Sequence, residues 1–475
     1  MNKVLSVTSE CVPFIKTGGL ADVAGALPAA LKALGWDMRT ILPGYPSVME
    51  MLKRPKEVLR EKDLFGGPGR LLSAKVKGQG LFIVDAPHLY DRAGGPYLDE
   101  SGVDWPDNAE RFAALSWMAA RVGAEGAGGW QPEVLHCHDW QAGLAPVYLA
   151  EMGARVHVGS VLTIHNIAFH GLTPGHMLER LRLPASGFTQ DGFEFWNQIN
   201  ALKAGIVWSD KVTTVSPNYA EELLRPEFGW ALEGVLGQRG NDFLGVLNGI
   251  DTSAWDPESD PHVTPFKSPS GKKASKDWLR AHFDLPETDG PLAVVVSRLS
   301  EQKGLDLLLQ ALPALIDRGG QLVLLGSGDR RLEWEWQQAA QHPNVAVQIG
   351  YDEPLSHKII AGGDAILVPS RFEPCGLTQM YGLRYGTVPV VARTGGLVDT
   401  VIDASPVALR AGVATGLQFH PVTADALART LSRLVDLYSA PKVFSKLQKN
   451  GMKQDLGWEN AAHEYAALYA QVTRA

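Results

Sequence analysis

The feature that most constrains this chain is a recurrence. Short apolar runs rich in β-branched residues alternate with stretches of helical periodicity. The runs fall at residues 4–7, 81–84, 134–138, 158–164, 212–215 and 244–247, then at 292–296, 321–325, 345–349, 365–368 and 388–391. Several are continuously apolar, the pattern of strands buried on both faces. Helical stretches such as 108–122 and 304–318 lie between them. Strands alternating with helices predict an α/β class with parallel, doubly wound sheets. At 475 residues the chain is too long for one ordinary domain. Between 251 and 275, Pro257, Pro261, Pro265 and Pro269 mix with Ser, Asp and Gly, which is linker composition. The alternation restarts afterwards. Two Rossmann-like domains facing across a cleft are expected, residues 1–250 and 276–456 joined by that linker.

Composition narrows the function classes. A net charge of -8 gives no sign of a nucleic-acid partner, since such binders carry basic patches. Cys11, Cys137 and Cys375 lie far apart and form neither a disulfide framework nor a CxxC metal site, so a reducing cytoplasm is expected. The first apolar run is too short for a signal peptide, and no run of about 18 apolar residues predicts a membrane span.

In open parallel sheets, ligands bind beyond the carboxyl ends of the strands, so the polar residues there are the candidates. After the first run comes FIKTGGLADV, residues 14–23, where Lys16, Gly18, Gly19 and Asp22 stand at a helix start. Neither GxGxxG nor GxxxxGK[ST] is present. Two readings fit: an anion- or sugar-binding loop, or a tight turn with a surface lysine. In VLHCHDW, strand alternation places His136 and His138 on one face and Cys137 on the other. An HxH pair can bind zinc, but no partner cluster is visible. His138 or Asp139 bonding a polar ligand, or a histidine satisfied in the core, are the other readings. His165-Asn166 and Asn248-Gly249-Ile250-Asp251 end further runs, the latter also a turn signal.

The second half supplies SRLSEQKG, where Arg298 and Lys303 flank a loop between strand and helix. Two cations there suit a diphosphate, or simply a solvated loop. Leu325-Gly326-Ser327-Gly328-Asp329 lacks the third glycine of a dinucleotide fingerprint. PSRFEPCGLT, residues 369–378, brings Glu373 and Cys375 to a helix start at Gly376-Leu377-Thr378, whose free N–H groups suit phosphate oxygens. Arg393-Thr394-Gly395-Gly396-Leu397 echoes the first loop, so that two Gly-Gly loops, one per domain, are expected to close on one ligand.

KTGGLADV, HCHDW, TIHN, NGID, SRLSEQKG and PSRFEPCGLTQ occur in this order, with YLDESGVDWPDNAERF at 97–112. The ordered set closely resembles bacterial glycogen synthases and plant starch synthases, retaining glucosyltransferases of GT-B fold. The resemblance implies transfer of glucose from ADP-glucose to the non-reducing end of an α-1,4-glucan such as glycogen or maltodextrin. It implies that Lys16 and the backbone at Gly18-Gly19 meet the diphosphate and glucose, and that Arg298 and Lys303 stabilise departing ADP. Asp139, His165, Asn248 and Glu373 would surround the glucose, with Asn166 and Asp22 nearby. Cys375, Gly376, Leu377 and Thr378 would hold sugar and phosphate, and Tyr351 would lie near the adenine. No metal is implied: no two aspartates are spaced Asp-x-Asp, and the cations stand where other enzymes use an ion. Broader retaining families carry a second glutamate eight positions after the first; here that position is Tyr381, as in the bacterial group. Residues 457–475 resemble the family's last helix, which crosses back onto the N-terminal domain. A relative using UDP-glucose or a small acceptor, or a non-catalytic glucan binder, are the alternatives.

Overall fold

A computed structural model describes residues 1–474. The chain divides into two compact units. The first holds residues 1–215, 220–249 and the segment from Trp458 onward; the second holds 216–219 and 250–457.

The first unit is built on a nine-stranded sheet. In spatial order its strands are Phe243–Gly245, Lys211–Thr214, Gly159–Ile164, Val134–His138, Asn2–Val7, Trp36–Pro43, Gln79–Asp85, Gly69–Val76 and Lys56–Glu61. The first seven run parallel, and Gly69–Val76 pairs antiparallel with both its neighbours, Gln79–Asp85 and Lys56–Glu61. The chain builds outward from Asn2–Val7 on one side, then restarts beside it with Val134–His138. That reversal opens a crevice at the carboxyl ends of those two strands. The last helix, Glu459–Val472, lays Tyr465, Leu468, Tyr469 and Val472 into the core formed by Val4, Val134, Val161, Leu27 and Leu31.

The second unit carries a six-stranded, wholly parallel sheet. Its order is Val345–Ile349, Gln321–Gly326, Leu292–Val296, Ala365–Val368, Val388–Ala392 and Leu417–Phe419. Alternate residues serve opposite faces: Ala293, Val295, Leu322 and Leu324 join one buried cluster, Leu292, Val294, Val323 and Leu325 another. Burial on both faces is why these strands read as unbroken apolar runs. The order reverses between Leu292–Val296 and Ala365–Val368, which makes a second crevice.

Three sequence expectations change here. The strands Trp36–Pro43, Lys56–Glu61, Gly69–Val76 and Leu417–Phe419 are additional. The helical stretch 304–318 is two helices, Leu305–Ala311 and Pro313–Ile316, because Pro313 has no N–H to continue the ladder. The proline-rich stretch 251–275 is not a free linker but part of the second unit. Its Trp255 ring stacks between His357 and Tyr381, each 3.7 Å away and 10° from parallel. Its Asp260 accepts from His357 Nδ1 at 2.6 Å and from the Tyr385 hydroxyl. Its Lys272 is buried and donates to Ala361 O, Tyr385 O and Thr387 Oγ1 at 2.7–2.8 Å. Tyr381 therefore serves as a stacking platform for Trp255.

Candidate active site

Each crevice collects expected residues. In the first unit, Asp139 follows Val134–His138 with φ of 54°, left-handed backbone that costs an aspartate strain. Its Oδ1 accepts from His165 N at 2.7 Å and Asn166 N at 3.3 Å, tying two strand ends together. Burial pushes its carboxyl up to about 7; the two amides oppose the shift and the Glu10 carboxylate adds to it. His165 Nε2 lies 3.0 Å from His138 Nδ1, and His138 Nε2 lies 3.1 Å from Ser6 Oγ. His136 meets Thr163 Oγ1 and the Tyr469 hydroxyl, each at 2.7 Å. Both histidines of the HxH pair are thus satisfied inside the core by hydrogen bonds. Burial pushes His136 and His165 down to about 3, and His138 down as well, so all three rings are neutral at physiological pH. Asn248 is buried, and its Oδ1 has no hydrogen-bond partner among the described residues.

Around FIKTGGLADV the Lys16 side chain is 44% exposed and its ammonium pairs with Asp22 at 2.8 Å. The helix starts at Gly19 and runs to Lys32. Sequence reasoning missed Glu10, which is only 3% exposed. Its Oε2 accepts from Thr17 N at 2.5 Å and Gly18 N at 3.1 Å. Its Oε1 accepts from Thr17 Oγ1 and the Tyr97 hydroxyl, both at 2.8 Å. The one available signal was an acidic residue right after a buried strand, where an unpaired carboxylate is too costly to bury. Gly18 N, in the loop where the resemblance implies diphosphate and glucose, donates to Glu10.

In the second unit, Lys303, Ser370, Glu373, Gly376, Leu377 and Thr378 line one pocket at the reversal point. Lys303 Nζ meets Glu373 Oε2 at 2.5 Å, and Ser370 Oγ donates to the same oxygen at 2.8 Å. Arg371 forks onto Asp306 with two 2.7 Å bonds and reaches Glu301 O, stitching the Lys303 loop to the Glu373 loop. Gly304 sits at φ 64°, and a Cβ there would fall 2.0 Å from Pro369 O. The helix Thr378–Arg384 begins at the pocket, with Leu377 as its N-cap and Thr378 and Gln379 in the lining. Cys375 is buried and does not line the pocket. Arg298 is exposed, and Tyr351 is 71% exposed; neither lines it. The Gly395-Gly396 pair supports this loop from beneath: Gly396 N donates to Glu373 O and Pro374 O at 3.1 Å. A cation, a carboxylate and a helix start at one crevice suit a substrate that develops negative charge as it reacts.

Comparison with known proteins places this geometry. A family model described as the starch synthase catalytic domain matches residues 3–238, and one described as glycosyl transferases group 1 matches residues 280–453. The chain is 59% identical over 471 residues to a glycogen synthase of Paracoccus denitrificans, with 99% of each chain covered. It is 54% identical over 475 residues to one of Jannaschia sp., with all of both chains covered. Among solved structures it is similar to the catalytic domain of starch synthase IV from Arabidopsis thaliana bound to ADP and acarbose, with TM-score 0.88, 30% identity and 99% of each chain covered. A sucrose-phosphate synthase from Thermosynechococcus elongatus, at TM-score 0.61 and 18% identity over 99% of each chain, shares the fold.

Proposed function

Because the chain belongs to the glycogen and starch synthase family of GT-B glycosyltransferases, we propose that it extends an α-1,4-glucan with glucose from ADP-glucose, retaining the anomeric configuration. The observation that carries this reading is the Lys303–Glu373 pair, fixed by Ser370 at the reversal point of the second sheet. As the bond from C1 to the diphosphate breaks, charge grows on ADP, and Lys303 with Arg298 neutralises it. The acceptor hydroxyl attacks C1 from the face the diphosphate leaves, and its proton passes to a phosphate oxygen of ADP. Glu373 orients the sugar and balances positive charge at C1. Asp139, His165, Asn166 and Asn248 hold sugar hydroxyls; neutral His165 both donates and accepts a hydrogen bond, and the buried Asn248 Oδ1 needs a donor. Lys16, Gly18, Gly19 and Asp22 meet the donor from the first unit. Cys375, Gly376, Leu377 and Thr378 receive phosphate and sugar, and Tyr351 meets the adenine.

The reading requires no metal, so activity is expected to survive a chelator. Among the described residues no helix is long and apolar enough to cross a membrane. We propose a cytoplasmic location, in keeping with three cysteines that form no disulfide. The test is a donor–acceptor panel on the purified chain. ADP release from ADP-glucose should depend on glycogen or maltodextrin and exceed that from UDP-glucose at least about tenfold. Equal or faster release from UDP-glucose, or transfer to a small sugar alone, overturns the donor or acceptor assignment. Glucan binding without donor turnover would make the chain a binder only.

A further inference from the structure

In a Rossmann-like unit the turn after the first strand normally aims backbone N–H groups at a ligand's phosphate. Here two of those groups, Thr17 N and Gly18 N, are aimed at a carboxylate of the protein itself. Glu10 takes four donors in all, and they come from two directions: three from the loop and one, the Tyr97 hydroxyl, from 87 positions away. Ser9 Oγ, 2.7 Å from the same hydroxyl, completes the set.

Tyr97 is itself held. Asn108 Nδ2 donates to Tyr97 O at 2.9 Å, and buried Arg111 donates to Pro96 O at 2.9 Å and to Asn108 Oδ1 at 2.7 Å. Asn108 and Arg111 belong to the long helix Asn108–Glu125. A continuous set of hydrogen bonds therefore runs from a rigid helix through Tyr97 and Glu10 to the loop.

We propose that Glu10 is the positioning residue of the donor loop, an internal anion that fixes Thr17 and Gly18 before any substrate arrives. This rests on the reading of Lys16, Gly18 and Gly19 as donor contacts. Two consequences follow. The amides spent on Glu10 leave Lys16 as the loop's source of positive charge. The outer side of Gly18 stays open, because a Cβ built there meets nothing within 4 Å. The loop thus presents the Lys16 ammonium, paired with Asp22, and an uncovered backbone at Gly18 that is ordered before binding, which lowers the ordering cost.

The test uses the full chain with Glu10→Ala and Glu10→Gln. It reads KM for ADP-glucose, kcat at saturation, melting temperature, and hydrogen exchange in peptides covering 10–20. Glu10→Ala should raise KM by about tenfold or more, change kcat less than about threefold, and speed exchange in that segment alone. Glu10→Gln should recover most of the KM. Its amide oxygen still accepts from Thr17 N and Gly18 N, while its NH2 donates to hydroxyls that can reverse their role. Unchanged KM and unchanged local exchange in Glu10→Ala overturn the proposal. So does a loss of protection spread over the whole first unit that Gln does not repair. Should Glu10→Ala fail to fold, Tyr97→Phe, which removes one donor, must raise KM and local exchange by a smaller factor; no change in either overturns it. If the wild-type chain releases no ADP from ADP-glucose, the functional reading falls, while the exchange arm still decides whether Glu10 holds the loop.

Discussion

Lys303 and Glu373 stand 70 positions apart, yet their charged atoms lie 2.5 Å from each other in a largely buried pocket. Removing one partner of such a pair leaves the other as an unpaired buried charge. Lys303→Ala is therefore expected to lower both the melting temperature and kcat, the latter about a hundredfold or more. Lys303→Ala combined with Glu373→Ala should regain part of the melting temperature and none of the activity, a contrast seen by pairing thermal melts with ADP release. Asp139 offers a pH test. Burial pushes its carboxyl up to about 7 in the fold from the ordinary aspartate value of 3.8. Between those values the native state holds a proton that the unfolded chain has released, so stability falls as pH rises through that window. Asp139→Asn keeps an acceptor for His165 N and removes this dependence. Its melting temperature relative to wild type should climb from pH 4 to pH 7 and level off above; a constant difference defeats the assignment. Asp139, His165 and Glu373 were legible as candidates because each follows a buried strand. Glu10 also follows a buried strand, but only the fold shows that four donors converge on it.

Among the elements, the glycine loops separate backbone necessity from room for a ligand. Gly304 holds a left-handed φ of 64° beneath Pro369 O, so Gly304→Ala strains the backbone and pushes the Lys303 loop outward. A loss of about 1–3 kcal/mol and a marked fall in kcat are expected, read from denaturant melts and initial rates. Gly18 is the opposite case, with extended backbone at φ -152° and open space around its Cβ. Gly18→Ala should leave stability within about 0.5 kcal/mol and raise KM for ADP-glucose; unchanged KM would mean that no substrate uses that space. The Gly395-Gly396 pair, which echoes the first loop in sequence, differs from it in the structure. A Cβ on Gly395 would lie 1.9 Å from Glu373 O and one on Gly396 2.4 Å from Cys375 O, so packing requires glycine at both positions. Sequence similarity between the loops could not show this, since the distinction lies in what approaches each glycine. Most strand runs with both faces buried were readable, whereas Trp36–Pro43, whose charged Asp37 and Arg39 break its apolar run, and Lys56–Glu61, with a half-exposed, charge-bearing pattern at the sheet edge, were not.

For the molecule as a whole, the last helix shows how far apart in sequence one core can be assembled. Glu459–Val472 buries Tyr465, Leu468, Tyr469 and Val472 in the first unit, and Tyr469 satisfies His136. A chain ending at 456 should expose that core and leave a buried imidazole short of a partner. Its melting temperature is expected to drop by about 10 °C or more, with soluble yield falling alongside; a drop of under about 3 °C would mean the helix contributes little. The sequence by itself determined the alternation of strand and helix, the parallel sheets, and which polar residues stand at strand ends, because periodicity and burial are local properties of the chain. It also carried the ordered motifs that mark the family. The tertiary structure decided which of those residues meet. It brought Lys303 to Glu373, packed the proline-rich stretch 251–275 onto its unit through Trp255 and Asp260, and turned Glu10 into the anchor of FIKTGGLADV. Those outcomes depend on hydrogen bonds and stacking between residues tens to hundreds of positions apart, and only the folded chain sets such distances.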